Sequence, residues 1–436
     1  MMSLHDRVHR GRWLAAAALV LVWLAAGAAA ADKLAGFHAA LESITAEDLQ
    51  KHVEFLADDE REGREAGTRG GQAAGDYVAA QLAAIHLRGA GPNDGYFQRF
   101  SPNFRNVLAR IVGSDPHLKD EVIVVGAHYD HVGYGRTGGA LGEVGMIHPG
   151  ADDNASGTAG VLELARAFSR LPQAPRRSIL FAFWDAEERG MIGSRHWVDH
   201  PTVLLDRVVL LVNFDMIGRL RNERLTLFGS HSGYGLRRLA STNNEPPLPI
   251  DFRRAVVPQA DHTPFYESDI PVLVFHTGMH PQYHRANDSA ALINAMGMQR
   301  VVRLALGVVC DAANRDARPR FREASRGESE QPPTEIVPLR PDNGRPFRIG
   351  VTWRVDDAEP GTAVVIRVAP DSPAARAGLK PGDRIYQVAG RDFADDAELF
   401  TRLTTLPGPI KLLVEREGQL RTVEIQFAAA TQRRAA

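Results

Sequence analysis

The chain is predicted to fold as an α/β protein, with a mixed, largely parallel sheet flanked by helices and a second, small β-rich domain behind it. Three observations carry this. From about residue 105 to 313, apolar runs of strand length alternate with longer amphipathic stretches, the pattern of strands joined by helical crossovers. A proline- and charge-rich stretch follows, and after it come short β-like runs around one helical segment. With 436 residues the chain is also about three times the usual domain size, so one small module is ruled out.

In chain order, residues 1–31 form a separate object. Arg7, Arg10 and Arg12 precede an uncharged run from Leu14 to Ala31 that ends in Ala29-Ala30-Ala31. A basic segment, an apolar segment and small residues at −3 and −1 make a secretory signal peptide cleaved after Ala31, and the protein is expected to be exported, periplasmic or secreted. An uncleaved anchor is the other reading of this segment and the only membrane contact expected. Residues 32–313 make the main domain. Ala46–Ala57 and Gly70–Ile85 read as helices that pack on the sheet. Strands are expected at Arg105–Val112, Glu121–Ala127, Ser178–Trp184, Val208–Phe214, Leu225–Phe228 and Val272–His276, and further helices at Ala155–Arg170, Gly233–Asn243 and Ala290–Asn314. Residues 314–346, with Pro319, Pro332, Pro333, Pro338, Pro341 and Pro346 among charges, read as a linker. Residues 347–436 form the small domain, with β-like runs at Gly350–Arg354, Ala363–Ala369, Ile385–Val388, Lys411–Arg416 and Thr422–Phe427 and a helix near Asp396–Thr404.

Composition narrows the chemistry. Lys plus Arg number 51 against 53 Asp plus Glu, so no basic excess points to nucleic acid as a partner. Cys310 is the single cysteine, which excludes an internal disulfide framework, a cysteine-rich zinc module and an iron–sulfur cluster. Any metal must sit on His, Asp and Glu.

Such residues gather at the carboxyl ends of the expected strands, where open α/β sheets bind their ligands. His128-Tyr129-Asp130 follows the strand ending at Ala127; on extended chain, residues two apart share a face. Asp130 is then placed to take the proton of the second ring nitrogen of a metal-binding His128. Asp152, in Gly150-Ala151-Asp152-Asp153-Asn154-Ala155-Ser156-Gly157, is a small carboxylate able to bridge two cations. After Trp184 stands Asp185-Ala186-Glu187-Glu188, in which one glutamate can bind metal and the other stay free as a base. Asp215 and His284 follow later strands. Two imidazoles and three carboxylates exceed one tetrahedral zinc and match two metals ~3.5–4 Å apart. Such a pair would lower the pKa of a bridging water and stabilise an oxyanion.

At these motifs the chain resembles the secreted zinc aminopeptidases with co-catalytic metals, the leucyl-aminopeptidase-like metallopeptidases to which glutaminyl cyclases are related. The resemblance spans roughly residues 42–313 and rests on the segments around His128, Asp152, Asp185 and Asp215, and on Tyr283-His284-Arg285-Ala286-Asn287-Asp288, all in the family's order. It implies two Zn2+ per chain, replaceable by Co2+ or Mn2+. Asp152 would bridge them, with an unusual Asp152–Asp153 peptide link, Glu188 and His284 would complete one site, and His128 and Asp215 the other. Glu187 would be the general base, and peptides the substrates. His262 or Tyr266 would help hold the oxyanion. The stretch after His284 departs from the family's common form, which often has a proline near position 286. The segment Val368–Ile385, with Arg348-Ile349-Gly350-Val351, resembles a bacterial PDZ domain, which implies a peptide or protein C-terminus as a partner there.

Two other functions stay open from the sequence. A glutaminyl-cyclase-like enzyme or other amide hydrolase would use similar metal chemistry, and a catalytically silent peptidase domain would leave the PDZ-like module to bind peptides. The other histidines, His131, His148 and His280 among them, read as locally satisfied residues, and Asp153 as an organiser of its loop.

Overall fold

The computed structural model describes residues 32–100, 103–136, 139–256, 260–328 and 348–427. The expected signal peptide lies outside the described residues, as does the second half of the expected linker. Helix α1 (residues 32–43) leads to α2 (Ala46–Leu56), α3 (Arg69–Ala84), β1 (Arg88–Gly89), β2 (Phe97–Phe100), β3 (Phe104–Ile111) and β4 (Val122–His128). Next come α4 (Gly157–Ser169), β5 (Ser178–Trp184), α5 (Ile192–Asp199), β6 (Val208–Phe214), β7 (Leu225–Phe228), α6 (Leu236–Thr242) and β8 (Ile250–Phe252). The domain closes with α7 (Thr263–Glu267), β9 (Val272–His276) and α8 (Ala295–Asn314). Side-chain caps mark the helix starts: Thr45, Thr68 and Asn294 accept from the backbone amides of Asp48, Gly71 and Gly297.

Strands run in the order β1-β3-β5-β4-β6-β9-β7-β8, with β2 paired to β3. The central four, β5-β4-β6-β9, are parallel, while β3 and β7 pair antiparallel to their inner neighbours. Every residue of β4, β5 and β6 is buried, as unbroken apolar runs in a doubly covered sheet require. Helices α2, α3, α4 and α8 cover one face. Trp184, Trp197 and Phe265 stack over the other, held by α5 and α7.

The six expected strands are present within a residue of their bounds. Helix α4 starts at Gly157, because Asp153 and Asn154 leave helical geometry, and α8 starts at Ala295 behind one separate turn, Ala290–Leu292. The linker expectation needs correction. Residues 315–328 are packed on the main domain: Phe321 bridges to Gly233, the Arg322 amide donates to the Ser232 carbonyl, and the Glu328 carboxylate meets His231 Nδ1 at 2.8 Å.

The C-terminal domain holds β10 (Val351–Val355), β11 (Ala363–Val368), α9 (Pro373–Arg376), β12 (Arg384–Val388), α10 (Asp396–Thr405), β13 (Ile410–Arg416) and β14 (Gln419–Ile425), an antiparallel sheet in that order with a core of its own. It is fastened to the main domain by buried polar contacts. Arg237 on α6 makes a two-point pair with the fully buried Glu415 at 2.9 and 3.0 Å. Glu359, also fully buried, accepts the free amides of Arg237 and Arg238 in the first turn of α6. The Ile250 amide donates to the Glu417 carbonyl, so the β13–β14 turn abuts β8.

Removing one partner of a buried ion pair strands the other charge. Glu415→Ala is therefore expected to cost about 3–5 kcal/mol in urea unfolding of the full chain, and Arg237→Met with Glu415→Leu to recover most of it.

Candidate metal centre

Parallel strands β4, β5, β6 and β9 end at one edge of the sheet, and the strand order turns back at β4, whose neighbours β5 and β6 lie on opposite sides. His128 closes β4; Glu187 and Glu188 follow β5, Asp215 follows β6, and His284 lies in the loop after β9. Crossovers from β4 and from its neighbours leave a crevice there, and the fifth contributor, the 150–156 turn, drops into it.

The carboxylate at the centre of the crevice is Asp153. His128 Nε2 lies 3.4 Å from Asp153 Oδ1 and 4.0 Å from Asp215 Oδ1. His284 Nε2 lies 3.0 Å from Asp153 Oδ2 and 3.1 Å from Glu188 Oε2. His131 Nδ1 meets Glu188 Oε1 at 2.8 Å, and its Nε2 is buried with no hydrogen-bond partner among the described residues. Two groups of donors result, His128/Asp153/Asp215 and His131/Asp153/Glu188, each with its ligand atoms within 4.8 Å of one another. They share Asp153. Such a buried imidazole and carboxylate set fits divalent cations that accept nitrogen and oxygen donors.

Burial and mutual charge set the protonation. Burial alone would lower the His128 pKa, but the carboxylates of Asp130 and Asp153 hold it well above the usual histidine value. Burial likewise opposes charge on His284, and Asp153 and Glu188 overcome it, pushing the pKa up to about 11. Asp153 runs against its own burial and is held low by His128 and His284. Asp215 is pushed up to about 7 by burial, against the pull of His128. Glu187 is raised well above the carboxylate range, chiefly by burial and then by Asp261, Glu188 and Asp215, with His128 opposing.

Neighbouring groups fix the backbone beneath these side chains. Asp288 Oδ2 accepts the amides of both Asp152 and Asp153, at 2.9 and 3.2 Å, and its other oxygen pairs with Arg219. The fully buried Arg64 donates to the carbonyls of Tyr129, Leu56, Pro149 and Gly150. Gly150 has φ +57°, and a side chain there would meet the Asp153 carbonyl at 2.2 Å, so the turn that delivers Asp153 needs glycine.

Four of the expected metal residues, His128, Glu188, Asp215 and His284, are brought together. Asp152 is not: its Oδ1 accepts from the Gly218 amide at 2.6 Å and from Ser156, and the bridging place falls to Asp153. The non-proline cis peptide is Asp153–Asn154, one position later than expected. Asp130 meets its expectation in part. Its carboxylate lies 3.7 Å from His128 Nδ1 and accepts the Glu187 amide at 3.0 Å, while its backbone carbonyl is nearer to the ring, at 3.2 Å. Tyr266 turns away, its hydroxyl 2.9 Å from Ser325 Oγ. Sequence reasoning gives Arg64 and His131 no part in the site, although His131 lies three residues from His128 and Asp153 next to Asp152; Asp288 belongs to the motif around His284, but its hold on the Asp152 and Asp153 amides is visible only in the structure.

Comparison with known proteins gives the same picture. Residues 106–309 match the model of Peptidase family M28, and residues 364–416 match that of a PDZ domain. Aminopeptidase YwaD of Bacillus subtilis is 29% identical over 210 residues, 46% of this chain and 43% of the relative. Leupeptin-inactivating enzyme 1 of Streptomyces exfoliatus is 31% identical over 215 residues, 47% and 42%. The chain thus spans less than half the length of these two relatives. BSAP, a zinc aminopeptidase from Bacillus subtilis, shares the fold with a TM-score of 0.51 at 17% identity, covering 63% of this chain and 97% of that structure.

Because both donor groups need Asp153, Asp153→Ala is expected to lower zinc retained after dialysis, measured by elemental analysis, at least ~10-fold relative to the unmodified chain.

Proposed function

We propose, from the match of residues 106–309 to Peptidase family M28 and of residues 364–416 to a PDZ domain, that the chain is an exported zinc-dependent aminopeptidase that removes N-terminal residues from peptides. The observation that carries this reading is Asp153, shared by two groups of donors, with the free glutamate Glu187 beside them. Two zinc ions are the occupancy that a shared carboxylate would support: His128 and Asp215 would hold one, and Glu188 with His284, 3.1 Å apart, the other. His131, which belongs to the same donor group as Glu188, lies 2.8 Å from Glu188 Oε1 and would be a further ligand or the partner that orients that carboxylate. When bound, zinc supplies a Lewis acid for the scissile carbonyl oxygen and favours ionisation of water at neutral pH.

The chain's own residues do the rest. Glu187 Oε accepts the proton of the attacking water and delivers it to the departing amine nitrogen, for which a carboxylate of raised pKa is suited. Its backbone is held in place, since the Glu187 amide donates to Asp130 Oδ1 and the Glu188 amide lies 3.4 Å from Oδ2. Asp130 acts through these amides as a positioning residue. The buried walls around Trp184 and Phe265 keep the sheet edge rigid beneath the site. Release of a protein from the cytoplasm rests on residues 1–31; among the described residues no helix is long and apolar enough to cross a membrane. The PDZ domain is proposed to take a peptide or protein C-terminus on β10, an edge strand of its sheet.

A chelator is expected to abolish hydrolysis of amino-acid p-nitroanilides by the full chain, and added zinc to restore it; hydrolysis indifferent to chelation would overturn the reading. Glu187→Gln is expected to retain zinc by elemental analysis while kcat falls about 10²–10⁴-fold. One zinc per chain with cyclisation of N-terminal glutamine would instead support the cyclase-like alternative.

A further inference from the structure

We infer that Asp152 and His280 form a positioning pair that locks together the three loops supplying the metal donors, an inference that rests on the zinc centre proposed above. Asp152 is fully buried. It precedes Asp153, and its Oδ1 accepts the Gly218 amide at 2.6 Å, three residues beyond Asp215. The Ser156 hydroxyl lies 3.0 Å from the same oxygen and accepts the Ile217 amide, a second tie to the Asp215 loop. So close an approach demands glycine at 218, where a Cβ would stand 2.8 Å from Asp152 Oδ1 and 2.6 Å from Ile293 Cδ1.

The other oxygen faces the third loop. His280 Nε2 lies 3.1 Å from Asp152 Oδ2, four residues before His284. The distance is that of an ion pair, its alignment falls short of a hydrogen bond, and neither atom has a hydrogen-bond partner elsewhere among the described residues. His280 is nearly as buried as Asp152, with a side chain 2% exposed. One carboxylate therefore touches the Asp153 turn, the Asp215 loop and the His284 loop while itself standing outside both donor groups. Loss of the His280 tie frees the His284 loop relative to Asp153.

The pair is tested in the full chain by zinc affinity, measured in competition with a chromophoric chelator, and by the melting temperature of the metal-free protein. His280→Leu is expected to weaken zinc binding 10–100-fold, the usual effect of losing a residue that orients ligands, and to lower the metal-free melting temperature, because it leaves the buried Asp152 Oδ2 without its partner. His280→Gln, which places a donor nitrogen where Nε2 stood, is expected to regain most of the affinity. Unchanged affinity in His280→Leu would overturn the pair alone. So would a loss of affinity that His280→Gln, although it restores the metal-free melting temperature, fails to rescue, since that separates the stability of the loop from the placing of the donors. Failure of the unmodified chain to take up zinc would overturn the metal centre, and the pair with it.

Discussion

Arg64 is the interaction on which the carboxyl edge of the sheet depends. A guanidinium removed from water is tolerable only when its donors are spent, and here they go to four backbone carbonyls in three different segments. Tyr129 belongs to the His128 loop, Pro149 and Gly150 to the Asp153 turn, and Leu56 to the end of α2. Burial lowers the pKa to about 10, with Asp153, Asp130, Asp288 and Glu188 opposing, so the charge persists at neutral pH. Its own carbonyl accepts the His131 amide, which closes the arrangement. The segments that carry His128, His131 and Asp153 are thus tied to one buried arginine.

The crevice itself concentrates acids. Asp153, Glu188, Asp215, Glu187 and Asp130 lie within one small buried region, and three imidazoles are interleaved with them. In the metal-free chain, protons on His128 and His284 balance this charge, which is why both histidines are held above their ordinary range despite burial. A cation that enters must displace those protons, so affinity and protonation are linked. Backbone strain gathers at the same place: Ala186, Met216 and His284 all have φ between +54° and +58°. Side chains disfavour that region, and the surrounding buried contacts maintain it.

The central strands and the ordered motifs were legible in the sequence because both depend on local signals, unbroken apolar runs and polar residues placed just after them. Asp152 shows where such signals stop. Two adjacent aspartates in one turn have the same chemistry, and which of them enters the crevice is decided by backbone dihedrals around Gly150 and by Asp288, some 135 residues away. Asp130 was legible in part: a shared face places its carboxylate 3.7 Å from His128 Nδ1, but its second role, accepting the Glu187 amide, comes from a segment 57 residues away. The short β8 and residues 315–328 carry no periodicity long enough to read, and both are ordered by contacts with segments far away in the chain.

The attachment of the C-terminal domain bears on how its edge strand could influence the crevice. Glu359 and Glu415 come from one domain, and Arg237 with the first turn of α6 from the other, so two amides in the first turn of α6 find their acceptor across the boundary. A purely apolar contact would allow sliding. A two-point arginine pair and a helix cap require one orientation, because each has directional partners. From there the route to the donors is short: the β13–β14 turn bonds to Ile250 on β8, β8 pairs with β7, and β7 pairs with β9, whose end leads through His280 to His284. The two domains are thus joined at α6 and at β8, two strands from β9, through buried pairs whose partners are directional.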